Sequence, residues 1–168
     1  MSFVLLPGTV AESLTELTPE FLKSKGIRLL MLDFDNTIVP YTTSCPTEEM
    51  ERWLREMTRQ QALQLCVVSN SRKSRVQVFC KEYGLDCITH AKKPFSKGIR
   101  ECMKRYGIPP ENCALVGDQI YTDVLGANCA GVQSVLVRAI HNHTIWLKLR
   151  HIAELPFRAA AENRRIQK

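Results

Sequence analysis

Four short stretches of the chain carry residues that could act on a phosphate. Asp33 and Asp35 stand two apart in LLMLDFDNTIVP, residues 29–40, at the end of an apolar run with no polar spacer. Ser69 and Asn70 follow a second apolar run, AKKP (residues 91–94) follows a third, and Gly117 and Asp118 close a fourth, with Asp123 five residues on. Alternate side chains of an extended backbone point the same way, so one of the paired aspartates can attack phosphorus while the other reaches the leaving group. Phosphoryl transfer also needs charge neutralisation around the phosphate, which a lysine, the Ser69 hydroxyl and loop amides can supply. Left alone, Asp33, Asp35, Asp118 and Asp123 would repel one another and tend to hold protons. A divalent cation removes that problem, and carboxylate oxygens without His or Cys favour Mg²⁺.

The elements that must position these residues are legible as an alternation. Apolar runs at 27–33, 63–69, 86–90, 113–117 and 132–137 read as five strands. Helical spacing fills 46–60, 72–83, 96–106 and 119–130, and Gly84, Gly107 and Gly131 stand where a left-handed cap residue ends a helix. Strands alternating with helices imply an α/β, Rossmann-like three-layer sandwich around a mainly parallel five-stranded sheet. In such sheets ligands bind outside the carboxyl ends of the strands, which is where all four stretches fall.

Each stretch alone has an ordinary explanation. Asp35 and Asn36 suit a turn, Ser69 and Asn70 a helix cap, and Asp123 a helix N-terminus. Four in succession, each directly after a strand, point instead to converging roles in one site.

A chain of 168 residues is the length of one domain and can bury a sizeable core, so residues 1–168 are read as one unit. The net charge of +6 is uneven: residues 138–168 hold seven Lys/Arg against two Glu, which makes 141–168 a basic, helical extension. Seven cysteines, an odd number with no C-x-x-C pair, read as buried thiols in a reducing compartment. The apolar start is broken by Pro7 and Gly8, too short for a signal sequence or a membrane span, so a cytoplasmic location is expected. His141, His143 and His151 lack acidic or cysteine neighbours and are read as surface or packing residues.

DFDNT, SN, KP and GDQIYTD, in that order, resemble the four motifs of the haloacid dehalogenase-like phosphatases. AKKPF, VGDQ and TDVLGAN are similar to the small bacterial YqeG-like group of subclass IIIA, over about residues 5–140. The resemblance implies that Asp33 is a nucleophile forming an aspartyl-phosphate and that Asp35 is the acid and then the base. It implies that Asp33, the backbone carbonyl of Asp35 and Asp118 hold Mg²⁺, with Asp123 as a further or supporting ligand, and that Ser69, Asn70 and Lys93 bind phosphate. Lys93 is preferred to Lys92 because the family's lysine commonly precedes the proline directly.

Only 31 residues separate Thr37 from Ser69 and 23 separate Ser69 from Lys93, so no cap domain fits in either interval. An open mouth suits a bulky substrate or one presented by a surface. Relatives of the YqeG-like group include phosphatidylglycerophosphate phosphatases, which implies an anionic phospholipid headgroup as a candidate substrate. Peripheral membrane contact would then come from Lys148, Arg150, Arg158, Arg164, Arg165 and Lys168, with Ile145, Trp146, Leu149 and Ile152 at helical spacing. The tail has no nucleic-acid motif and no interleaved aromatics, which argues against that partner. The rival reading is a non-enzymatic phospho-accepting signalling or interaction module, against which Asp35 supplies the base that favours turnover.

Overall fold

The computed structural model describes residues 5–71, 74–140, 154 and 156–166. Six parallel strands form one sheet: β1 (Thr9–Ala11), β2 (Leu29–Leu32), β3 (Gln64–Val68), β4 (Asp86–Ile88), β5 (Cys113–Gly117) and β6 (Gln133–Val137), in spatial order β1-β6-β5-β2-β3-β4. The five expected strands are present. β1 is an addition: its three residues, TVA, are too few to show a period, and it exists because the edge of β6 offers a ladder partner.

β2 is buried on both faces, which is why its sequence is continuously apolar rather than alternating. Leu30 and Leu32 face one core with Met50, Trp53, Leu54 and Met57 of α2 (Glu48–Thr58) and Val76, Phe79 and Cys80 of α3 (Ser74–Tyr83), and α1 (Pro19–Ser24) adds Leu22. Leu29 and Met31 face the other, with Ile99, Cys102 and Met103 of α4 (Lys97–Tyr106) and Ala127 and Ala130 of α5 (Leu125–Ala130). The result is the three-layer α/β/α sandwich, and among the described residues no cap domain interrupts it. Gly84, Gly107 and Gly131 all have positive φ, the left-handed geometry that a side chain would strain.

The chain runs from β2 outward to β3 and β4, then crosses back to β5 on the other side of β2. That reversal opens a crevice beyond the carboxyl ends of β2 and β5. Register aligns the two: Leu32 sits opposite Val116, and the Asp33 N–H donates to the Val116 carbonyl at 2.8 Å.

One expectation needs correction. Of the cysteines, Cys66, Cys80, Cys102 and Cys113 are buried, but Cys45 and Cys129 are exposed because they lie on the outer side of a loop and of a helix. The described part of the basic tail is tied to the rest of the protein. Residues 156–160 are helical, Ala161 is fully buried, and Arg165 bridges to Val10, so the tail extends the sheet beside β1. The Ile166 N–H donates to the Val10 carbonyl at 2.9 Å, covering backbone groups that an edge strand would leave open. Arg158 donates to the Asp118 carbonyl and Arg164 to the Pro7 carbonyl, while Arg165 pairs with Glu12 and Glu162. All three hold partners within the fold, although Arg164 and Arg165 remain exposed at the surface. Lys148, Arg150, Lys168, the apolar residues 145, 146, 149 and 152, and His141, His143 and His151 lie outside the described residues. Among the described residues no helix is long and apolar enough to cross a membrane.

Candidate active site

Asp33 leaves the end of β2 with 7 % of its surface exposed. Its Oδ1 accepts from Lys93 Nζ at 2.6 Å, and Thr37 Oγ1 lies 3.4 Å from its Oδ2. Lys93 in turn reaches Asp123 Oδ1 at 2.7 Å. Asp118, next after β5, completes the group: Asp33, Asp118 and Asp123 are all buried, with one carboxylate oxygen of each within 4.8 Å of the others. The crevice thus brings together residues that are 90 positions apart in sequence.

The electrostatics are unbalanced. Three buried carboxylates are clustered with one ammonium, which pairs with two of them, so the group as a whole is formally negative. Burial pushes the Asp123 carboxyl up to about 6, opposed by the Lys93 charge beside it and helped by Asp33. For Lys93, burial disfavours the ammonium, but the Asp123 and Asp33 carboxylates outweigh it and hold its pKa above the ordinary lysine value. That excess negative charge, in an all-oxygen donor set without His or Cys, fits a hard divalent cation such as Mg²⁺.

Local structure explains how each group is held. A Cβ at Gly117 would lie 2.3 Å from Asp123 Cγ, so glycine is required there for the Asp123 side chain to fold back over β5. Asp123 Oδ2 also accepts from the Gln119 N–H at 3.1 Å, inside a π-helical turn at Ile120–Val124 that precedes α5. Asn70, expected near phosphate, spends its amide on the backbone of Lys93: Nδ2 donates to the Lys93 carbonyl at 2.9 Å and Oδ1 accepts its N–H at 2.7 Å. The two motifs are thereby locked together. Ser69 is buried, and its Oγ accepts from the Ser71 N–H at 3.0 Å, leaving the hydroxyl hydrogen able to donate. Lys92 is exposed with a φ of 56°, while its neighbour Lys93 is buried in the crevice.

Asp35 does not join the carboxylate group and pairs instead with Arg75 of α3. The sequence reading did not single out Arg75, since it is one of three basic residues in SRKSR and nothing in that run distinguishes it. Its Nη1 donates to the carbonyls of Thr43 at 2.8 Å and Tyr41 at 3.1 Å, and its guanidinium lies 5.1 Å from the Phe34 ring centre and 5.6 Å from that of Tyr41. Arg75 therefore ties the loop after Asp35 to α3. Glu154 was also missed, and Arg158 was singled out only for membrane contact, not for its bond to the Asp118 carbonyl. They form an i,i+4 pair that sequence can show, but its target on the loop after β5 is set only by the return of the tail.

A family model for haloacid dehalogenase-like hydrolases matches residues 13–131. The chain belongs to the haloacid dehalogenase-like hydrolases. This hydrolase is 32% identical over 132 residues to the probable phosphatase YqeG of Bacillus subtilis, a match covering 79% of this chain and 76% of that protein. A shorter match to the glyceraldehyde 3-phosphate phosphatase of Pyrococcus furiosus, 33% identical over 64 residues, covers 38% of this chain and 22% of the other. Among solved structures, a hypothetical protein from Xanthomonas campestris aligns with a TM-score of 0.58 at 15% identity, over 83% of this hydrolase and 78% of that chain. The cobalt-bound deoxy-D-mannose-octulosonate 8-phosphate phosphatase of Haemophilus influenzae aligns with a TM-score of 0.52 at 15% identity, over 76% and 77%. At such identities the shared property is the fold.

Proposed function

We propose that this haloacid dehalogenase-like phosphatase hydrolyses a phosphate monoester through an aspartyl-phosphate on Asp33, with Mg²⁺ as its cation. The observation that carries the reading is the buried group of Asp33, Asp118 and Asp123, two of which hold the ammonium of Lys93. Asp33, Asp118 and the backbone carbonyl of Asp35 would hold Mg²⁺. Asp123, with one oxygen on Lys93 and the other on the Gln119 N–H, suits a supporting place. When bound, the cation offsets negative charge on the phosphate and the carboxylates.

An Asp33 carboxylate oxygen attacks phosphorus as the ester P–O bond breaks, and Asp35 gives its proton to the departing oxygen. A water then attacks the phosphorus of the acyl phosphate, with Asp35 taking its proton. The P–O bond to Asp33 breaks, freeing inorganic phosphate and the carboxylate. Lys93 and Ser69 hold phosphate oxygens, and Asn70 keeps Lys93 in place through its backbone. Arg75 sets where Asp35 rests between steps. Chelating the metal with EDTA should abolish release of p-nitrophenol from p-nitrophenyl phosphate, and excess Mg²⁺ should restore steady turnover. A single equivalent of stable phosphoprotein would instead support the phospho-accepting module.

Because Arg75 fixes both Asp35 and the loop behind it, Arg75→Ala is expected to lower kcat by about 10- to 100-fold, the scale of a misplaced catalytic group. KM should change less, and the readout is steady-state kinetics on p-nitrophenyl phosphate. Unchanged kcat would remove Arg75 from the mechanism.

For substrate class, the uncapped mouth supports a bulky phosphate ester, phosphatidylglycerophosphate among them. Arg158, Arg164 and Arg165 each bond within the fold while Arg164 and Arg165 stay exposed, so a lipid substrate would be selected at the mouth with the tail as an added contact. Comparing vesicle-borne phosphatidylglycerophosphate with soluble phosphate esters tests this, and preference for a soluble ester would overturn it.

A further inference from the structure

The turn that carries Asp118 is held from outside the segment that the family model matches. Glu154 is 2 % exposed, and its Oε1 accepts the Ile120 N–H at 2.9 Å. Its Oε2 accepts from Arg158 Nη2 at 3.1 Å, and that same nitrogen donates to the Asp118 backbone carbonyl at 2.7 Å. Phe157, between them, packs against the buried cluster of Ile120, Val124 and Leu136 and stands edge-on to Tyr121 at 6.3 Å. Two backbone groups of one turn, two residues apart, are therefore gripped by an ion pair from the tail, its carboxylate buried and its guanidinium partly so.

A buried carboxylate paired with a partly buried guanidinium is costly to desolvate and contributes little net stability compared with apolar side chains of the same size. What this pair supplies is geometry. A charge-assisted bond to the Asp118 carbonyl and another to the Ile120 N–H leave the turn little freedom to rotate the Asp118 side chain out of the crevice.

We propose that Glu154 and Arg158 are positioning residues that hold the Asp118 turn so that its carboxylate meets the cation, making the C-terminal segment part of the metal site's support. This role rests on the reading of the carboxylate group as a Mg²⁺ site. Groups that orient metal ligands typically contribute 10- to 100-fold in metal affinity.

The test is calorimetric titration of the full-length chain with Mg²⁺ alone, without substrate. Arg158→Met is expected to weaken Mg²⁺ binding about tenfold or more, with Arg158→Lys, which keeps one donor and the charge, falling between it and the parent. Since Arg158→Met leaves Glu154 buried without its partner, the double variant Glu154→Gln/Arg158→Met removes the orphaned charge and should show the same loss in a folded protein. Thermal melts in EDTA separate the two kinds of effect. A lowered melting temperature with parental Mg²⁺ affinity in the double variant overturns the inference and leaves the proposed function standing. Absence of Mg²⁺ binding by the parent chain overturns both.

Discussion

Asp33→Asn should lower kcat by roughly 10⁴-fold or more, because an amide oxygen cannot form and release an acyl phosphate at a useful rate. On the transition-state scale a 10⁴-fold loss is about 5.4 kcal/mol, far larger than any packing change from an isosteric swap. The fold should survive. The amide keeps the shape of the carboxylate it replaces, and Lys93 retains its pairing with Asp123 at 2.7 Å. Steady-state release of p-nitrophenol, with a thermal melt as the folding control, is the measurement. Activity within tenfold of the parent would mean that another group attacks phosphorus.

Lys93→Ala should injure stability and activity together. Lys93 is 5 % exposed and its ammonium lies between Asp33 and Asp123, so truncating it leaves two buried carboxylates facing each other. Breaking a buried pair in this way costs about 3–5 kcal/mol, more than most single substitutions. Mg²⁺ should recover part of that loss, since a cation among the carboxylates offsets the same repulsion, whereas the parent should gain less from it. Urea unfolding with Mg²⁺ and with EDTA reads both effects. Lys92→Ala is the internal control: its side chain is exposed, so its stability should change by no more than about 0.5 kcal/mol. Equal losses for the two lysines would contradict the placement of Lys93 at the centre of the charge group.

The central layer of this fold could be read from the chain because its signals are local. LLML, QLCVV and CALVG are apolar on both faces, since helices cover both sides of their sheet, and that burial leaves its mark on nearly every residue of the strand. Residues that sit directly after such strands arrive at one edge by topology alone, which is why Asp33, Ser69 and Asp118 could be named together. β1 escaped because three residues carry no measurable period and its partner, β6, lies more than 120 positions away. Arg75 and the Glu154–Arg158 pair escaped for a related reason. Charged side chains in a polar stretch look like a solvated surface until a distant backbone carbonyl is seen to accept from them.

Residue types and their order were enough to specify the sandwich, the hydrolase family and the meeting of Asp33, Asp118, Asp123 and Lys93 at one edge of the sheet, because burial and strand order constrain side chains position by position. Tertiary structure alone decided that Asn70 braces Lys93, that Arg75 holds Asp35, and that Arg158 reaches the backbone of Asp118. Those outcomes depend on which donor meets which acceptor across long loops, and pairing at that range leaves no periodic trace in the chain.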